Sequence, residues 1–399
     1  MVRNNVALVV GTRPEAIKLA PVHMALARSD VLRPVLLSTG QHREMLAQTL
    51  AAFGLKPDAD LALMQANQTL PDLTARVLTA MTSWLSENRP AAVLVQGDTT
   101  TAFAAALAAF YARIPVGHVE AGLRTYDFDA PWPEEMNRRL ADPISRWCFA
   151  PTEVSRGNLL AERIPAERIR VTGNTVIDAL LWMRARQQQA TADAVARAVK
   201  AGVPDAFAHR YFAEQKLHRS LSAVVRPPES RWILVTGHRR ESFGEGFEGI
   251  CRAILAVVEK HPDTGVIYPV HLNPNVREPV KRLLGGHPRI ALIEPLGYED
   301  FVWLMDRCHF LLSDSGGVQE EAPGLGKPVL VMRSTTERPE GVTAGTCKLV
   351  GTDPDVILRE AGILLSNASE YARRAALKNP YGDGNAAETI VGILERELS

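Results

Sequence analysis

Two places in this chain carry the same local grammar, and together they restrict the fold more than any other feature. Val6-Ala7-Leu8-Val9-Val10 runs into Gly11-Thr12-Arg13-Pro14-Glu15, and Trp232-Ile233-Leu234-Val235-Thr236 runs into Gly237-His238-Arg239-Arg240-Glu241. Each is a short apolar run that reads as a buried strand, then a glycine, then basic residues where a helix should begin. Backbone N–H groups and cationic side chains at a strand-to-helix corner suit an anionic ligand. Two such corners, each opening its own half of a 399-residue chain, predict two α/β domains presenting one anion site.

The pattern continues through both halves. Strand-like runs are expected at Val6–Val10, Pro34–Ser38, Ala92–Gln96, Pro115–Glu120, Trp147–Ala150 and Ile169–Thr172, then at Trp232–Thr236, Val266–Val270, Ile290–Ile293, Phe310–Ser313, Val329–Met332 and Lys348–Val350. Helical stretches such as Thr101–Arg113 and Phe247–Lys260 separate them. Alternation of this kind means parallel sheets with helices on both faces, whose strand C-terminal ends form the ligand edge. The first domain is placed at residues 1–172 and the second at 173–384, with a terminal amphipathic helix at Ala386–Leu398. Residues 185–230 differ in character, passing from alanine-rich helix formers to the polar, proline-bearing Arg226–Ser230.

Bulk properties narrow the class. At 46% hydrophobic residues the chain can bury large cores. Lys+Arg and Asp+Glu both total 45, so there is no basic excess of the kind a general nucleic-acid binder shows. Cys148, Cys251, Cys308 and Cys347 are scattered without a Cys-x-x-Cys pair, and are expected as core thiols rather than disulfides or zinc ligands. No run approaches a membrane span, and no leader precedes the first strand, so a soluble cytoplasmic protein without a membrane partner is expected.

Several phrases end strands and could carry chemistry. Arg13 and Lys18 flank the first turn after the first corner, as phosphate contacts or as a solvated basic face. Asp98, in Gln96-Gly97-Asp98-Thr99-Thr100-Thr101, either caps the following helix or lies on the ligand edge. His118-Val119-Glu120-Ala121-Gly122-Leu123-Arg124 puts His118 and Glu120 where apolar packing is expected. Glu134 and Glu135 open a helix, where dipole compensation is their plain role. Asp98, Glu120 and Glu134 together could supply acid and base for proton transfer. In the second half, Ser315 and the N–H groups of Gly316 and Gly317 could cradle a diphosphate, and Glu321 could accept from ribose hydroxyls. No Gly-x-Gly-x-x-Gly fingerprint stands at either corner, which argues against a bound dinucleotide.

Taken in order, these phrases resemble the non-hydrolysing UDP-N-acetylglucosamine 2-epimerases. The resemblance rests on Gly11–Lys18, Gly97–Thr100, His118–Arg124, Pro133–Glu135, Thr236–Glu241, Asp314–Glu321 and Thr335–Pro339, and it spans nearly the whole chain. It implies two Rossmann-like, doubly wound domains facing a cleft (a GT-B-like arrangement), with the last helix, residues 385–399, packing back on the first domain. It further implies interconversion of UDP-N-acetylglucosamine and UDP-N-acetylmannosamine through UDP elimination to a 2-acetamidoglucal. A homodimer, no cofactor and no metal are implied with it. Carried over by position, Asp98, Glu120 and Glu134 are the catalytic carboxylates. Arg13, Lys18 and His238 would hold the diphosphate and stabilise the leaving group, with His238 counted among the catalytic residues. Ser315, Gly316 and Gly317 would hold the phosphates, Glu321 the ribose and Phe301 the uracil region, and Arg338 would complete the substrate contacts. Gln41, His42, Glu44 and His271 match parts of a second, activating UDP-N-acetylglucosamine site, although Glu44 replaces an amide found in some regulated members.

Two departures stand out. Leu296 occupies a place where related sequences can offer a glutamine to the nucleotide. The stretch between Asp178 and His238 is longer than the family pattern, and is expected as a surface or dimer-contact insertion. Three other functions share parts of this signature: a hydrolysing relative, a glycosyltransferase on the same fold, and a UDP-sugar sensor. The carboxylate set argues against the glycosyltransferase and the sensor, and fold analogy alone does not decide.

Overall fold

The computed structural model describes all residues except 1–2, 41–42, 64, 66–67, 190–192, 214–230 and 240–241, and leaves out the side chains of residues 43 and 44. The chain divides into two compact units, Met1–Leu181 with Tyr381–Ser399, and Trp182–Pro380.

Unit 1 is built on β1 (Asn4–Val10), β2 (Leu32–Ser38), β3 (Ala59–Asp60), β4 (Ala92–Gln96), β5 (Val116–Val119), β6 (Trp147–Ala150) and β7 (Ile169–Val171). They form one sheet in the order β3-β2-β1-β4-β5-β6-β7, with every pairing parallel. Side chains of β1 alternate between two cores. Val6, Leu8 and Val10 pack with Leu19, Leu26, Trp147 and Ile390, while Ala7 and Val9 pack with Val77, Met81 and Ala105. Burial on both faces is why the strand reads as an unbroken apolar run. Only β3 was absent from the sequence expectations; two residues at a sheet edge leave no periodic signal.

The terminal helix Ala386–Leu398 belongs to unit 1, its Ile390 and Leu394 sharing a core with Leu19 of the Arg13–Arg28 helix. Asp178 accepts the N–H groups of Ala386 (3.3 Å) and Ala387 (2.8 Å), the first two helical residues. Burial pushes this carboxyl up to about 6 against those bonds.

Unit 2 contains β8 (Trp232–Thr236), β9 (Gly265–Pro269), β10 (Ile290–Ile293), β11 (Leu311–Ser313), β12 (Val329–Val331) and β13 (Cys347–Leu349), in the parallel order β10-β9-β8-β11-β12-β13. The described part of the long stretch after Asp178 is not a surface insertion. Phe207, Tyr211 and Phe212 are buried, Phe212 stacks on Trp303 at 5.4 Å, and a side chain on Gly265 would strike the Phe207 and Tyr211 rings. Arg226–Ser230 lies outside the described residues.

All four cysteines are buried free thiols. Among the described residues no helix is long and apolar enough to cross a membrane, and no cluster of His, Cys, Asp or Glu could hold a metal.

In each unit the strand order reverses once, between β1 and β4 and between β8 and β11. Ligands of open parallel sheets bind in the crevice beyond the strand C-termini at such a reversal. The two glycine corners leave β1 and β8, while Gly97–Thr100 and Asp314–Gly317 leave β4 and β11, so all four flank the crevices.

Candidate active site

In unit 1 the first corner is closed by its own helix. Thr12 caps the Arg13–Arg28 helix in a capping box with Glu15. The buried Glu15 carboxylate accepts from the N–H groups of Gly11 (2.7 Å) and Thr12 (2.6 Å), and from the Thr99 hydroxyl beyond β4. Burial pushes Glu15 up from its ordinary value, against those hydrogen bonds. Gly11 is obligatory for this closure, since a Cβ there would lie 2.6 Å from Thr39 Oγ1 and 2.7 Å from Thr101 Oγ1. The expected backbone anion cradle is therefore already occupied. Any anion contact at this corner falls to side chains, of which Arg13 is half-buried.

Lys18, expected to contact the diphosphate, has its buried ammonium paired with Glu120. Glu120 also accepts from the Gln96 amide and from Asn174 Nδ2 (3.2 Å). It stands just past β5 with φ +69°, a conformation that costs a non-glycine residue on the order of 1 kcal/mol and that clusters at functional sites. Gly122, two residues on, has φ +87°, and a Cβ there would stand 2.4 Å from the Ser155 carbonyl oxygen. The motif glycine thus lets the Glu120 loop pass under the Glu153–Ala161 helix.

Asp98 does not cap the alanine-rich helix Thr100–Tyr111; Thr99 does, accepting from Ala102 N. The Asp98 carboxylate pairs with Arg138, and its carbonyl accepts from Asn137 Nδ2 at 2.9 Å. Both partners lie on the Glu134–Ile144 helix, whose first residue, the half-buried Glu134, is the third candidate. Its neighbour Glu135 is fully buried and accepts from Thr125 N and Tyr126 N, both at 3.1 Å. One helix therefore carries a candidate carboxylate and the groups that hold the other loops. This supporting set, Gln96, Asn137, Arg138 and Asn174, was not anticipated; the run Glu134–Arg139 hinted at it, because residues three and four apart share a helix face.

The second corner, in unit 2, repeats the closure with a different residue. Buried Asp314, just after β11, accepts the N–H groups of His238 (2.7 Å) and Arg239 (2.8 Å), and its other oxygen lies 3.4 Å from His238 Nδ1. Burial alone would raise Asp314, but His238 and the two N–H groups hold it below the ordinary carboxylate value. His238 is exposed and stacks on His271, with ring centroids 5.4 Å apart. Burial and the His238 charge lower His271. His271, expected at a second site, thus touches a residue expected in the first. Gln41 and His42 lie outside the described residues, as does the Glu44 side chain.

Ser315, Gly316 and Gly317 enter the short helix Gly316–Glu321, whose start receives no side-chain cap from Ser315. A Cβ on Gly316 would sit 3.7 Å from the Arg338 guanidinium carbon, and one on Gly317 would sit 3.8 Å from Glu321. The loop therefore runs between a cation and an acceptor. Arg338 is anchored by buried Glu320, and Glu321 accepts from the Tyr298 hydroxyl at 2.7 Å. Tyr298 opens the helix Tyr298–Arg307, which also carries half-buried Phe301. Neither Glu320 nor Tyr298 was anticipated.

The chain matches the UDP-N-acetylglucosamine 2-epimerase family model over residues 24–395. It is 51% identical over 392 residues to the UDP-N-acetylglucosamine 2-epimerase of Escherichia coli K12, and 51% identical over 390 residues to that of Salmonella typhimurium. Each alignment covers 98% of both chains. The crystal structure of UDP-GlcNAc 2-epimerase from Neisseria meningitidis bound to UDP-GlcNAc superposes with a TM-score of 0.84 at 47% identity, covering 98% of this chain and 100% of that one. Full-length identity at this level, on the same two-unit α/β fold, assigns the chain to the UDP-N-acetylglucosamine 2-epimerase family, and it is an isomerase.

Proposed function

We propose that this enzyme interconverts UDP-N-acetylglucosamine and UDP-N-acetylmannosamine by elimination and re-addition of UDP. The C2 proton has no adjacent carbonyl to acidify it. The lower-barrier route takes that proton to a carboxylate as the C1–O bond to UDP breaks, leaving a C1=C2 double bond in 2-acetamidoglucal. UDP then adds back at C1 while a proton arrives at C2 from the other face. Asp98, Glu120 and Glu134 are the proton-transfer set. Lys18 fixes Glu120, and with Arg13, His238 and Arg338 it offsets charge on the departing diphosphate. Ser315, Gly316 and Gly317 hold phosphates, Glu321 the ribose, and Phe301 the uracil region. The single observation that carries the reading is the unit 1 carboxylate pair: Glu120 at positive φ and Asp98 on Arg138, each held by polar partners at the ligand edge. Incubation with UDP-N-acetylglucosamine in D2O, followed by NMR, tests it. Deuterium at C2 with UDP-N-acetylmannosamine is expected; free N-acetylmannosamine would show hydrolysis, and unchanged substrate would refute both.

The phosphate role of the Gly316 loop has its own test. Alanine at Gly316 meets Arg338 only at ordinary contact distance and sits in a helix, so Gly316→Ala should fold at least as well as the parent. Its methyl would crowd a bound phosphate, weakening UDP by about tenfold, or roughly 1.4 kcal/mol. Calorimetric titration with UDP beside a thermal melt reads both, and unchanged affinity would place the phosphates elsewhere.

The proposal extends to a homodimer in the cytoplasm that supplies cell-surface polysaccharide synthesis. It includes a second UDP-N-acetylglucosamine acting as activator through Gln41, His42 and His271, the last by its stacking on His238.

A further inference from the structure

The His118 side chain is fully buried on β5, and neither the family reading nor the proposed mechanism gives it a part. Both of its ring nitrogens face acceptors. Nδ1 is 2.6 Å from Asp142 Oδ1, and Nε2 is 2.7 Å from the carbonyl oxygen of Gly97. The second oxygen of Asp142 accepts from Arg124 Nη2 at 2.6 Å, and Arg124 in turn makes a two-point contact with Glu162 at 2.9 and 2.6 Å. Arg139 reaches the same Glu162 at 3.1 Å. Cys148 is the cross-strand partner of His118 on β6, and its thiol points to the Asp142 carbonyl. With an ionised Asp142 on one side and a carbonyl on the other, the ring is a donor at both nitrogens. Burial would lower His118, but Asp142 and the Gly97 carbonyl hold it above its ordinary value.

Gly97 is the residue before Asp98 and turns the chain at φ +70°. Three side chains therefore hold the Gly97–Asp98 turn from below: His118 on the Gly97 carbonyl, Asn137 on the Asp98 carbonyl, and Arg138 on the Asp98 carboxylate. Two of them lie on the Glu134–Ile144 helix, and the third is tied to that helix through Asp142. We propose that His118 is a positioning residue for epimerisation, its Nε2–H fixing the Gly97–Asp98 turn so that the Asp98 carboxylate is aimed at the sugar. The Glu134–Ile144 helix then carries Glu134 and, through His118, Asn137 and Arg138, sets the aim of Asp98 as well. A carboxylate that exchanges a proton with carbon has a narrow working geometry, and misplacement by about 1 Å can cost on the order of a hundredfold. The inference rests on Asp98 being catalytic.

Two substitutions separate positioning from packing. Glutamine places its amide nitrogen near the Nε2 position and can still donate to Gly97 O, while asparagine reaches only the Nδ1 position. His118→Asn should lower kcat about a hundredfold, and His118→Gln should restore most of that loss. UDP affinity should stay unchanged in both, and both should melt at similar temperatures because each leaves one buried partner unmet. Equal kcat in the two variants at equal folded fraction would overturn the proposal, as would a loss of UDP affinity that tracks the loss of kcat. A double-mutant cycle with Asp98→Asn adds a second readout. If His118 works through Asp98, His118→Asn added to Asp98→Asn produces little further loss, and full additivity contradicts the proposal. An Asp98→Asn enzyme that keeps parental activity would instead remove the catalytic reading of Asp98 itself, which is a separate outcome.

Discussion

Replacing Asp98 by asparagine should reduce kcat for epimerisation by about a thousandfold while leaving the fold and UDP affinity intact. Asparagine retains an oxygen for Arg138 and leaves the Asp98 carbonyl bond to Asn137 untouched, so the turn keeps its place. What it loses is the ability to take or give a proton at the ligand edge of unit 1. The nucleotide is proposed to bind the Ser315–Glu321 loop of unit 2, so UDP binding should stay within about twofold, a few tenths of a kcal/mol. The measurement is C2 deuterium incorporation beside calorimetric titration with UDP. Wash-in at the parental rate would show that Asp98 moves no proton. Glu120→Gln should lose activity to a similar degree but also melt lower, because Glu120 is buried and paired with Lys18 whereas Asp98 is partly exposed.

The second large effect is on stability. Asp142→Ala should destabilise the protein by about 3–5 kcal/mol, because it leaves His118 and Arg124 without their shared carboxylate in a site where all three side chains are fully buried. For a unit of this size that corresponds to a melting shift of roughly 10 °C. The pH dependence follows from the two shifts. Asp142 lies below its ordinary 3.8, despite burial, because His118 and Arg124 stabilise the anion. Its contribution is complete above that value and is lost as pH falls through the depressed one. His118 lies above its ordinary 6.5, so its contribution is complete below 6.5 and is lost as pH rises through the raised value. The pair therefore stabilises fully between about 3.8 and 6.5, and the gap between parent and variant should be widest there. Melts from pH 4 to 9 check this, and a variant within about 1 kcal/mol of the parent across that range would show that the buried network contributes little.

Local pattern carried the strand inventory well. The runs at Ala92–Gln96, Trp147–Ala150, Trp232–Thr236 and Ile290–Ile293 are strands with those same bounds, because strands buried on both faces are apolar throughout and end at glycine or polar turns. The two-residue β3 carried no such signal. Composition hides the packing of the described part of residues 185–230: an alanine-rich, polar stretch contains Phe207, Tyr211 and Phe212, which are buried in unit 2. The candidate carboxylates were visible as polar residues at strand ends, but their partners were not. Arg138 and Asn137 looked like ordinary helix polar residues until the fold brought them to Asp98.

From the amino-acid order alone one could read the strand-helix alternation, the two glycine corners and the residue types at the ligand edge. Each of these depends on neighbours a few positions apart, where periodicity and turn chemistry act. Side-chain partnership needed the folded chain. Lys18 and Glu120 are 102 positions apart, and Asp314 meets the His238 N–H across 76. Such pairs form because strand order sets β1, β4 and β5 side by side and β8 beside β11, bringing Glu120 to Lys18 and Asp314 onto the N–H groups of the second corner. The corners that look like open anion cradles in the sequence are closed, the first locally by Glu15 of its own capping box and the second across the sheet by Asp314. The same packing leaves Glu120 and Asp98 held at the edge of the sheet, where proton transfer to a sugar is proposed.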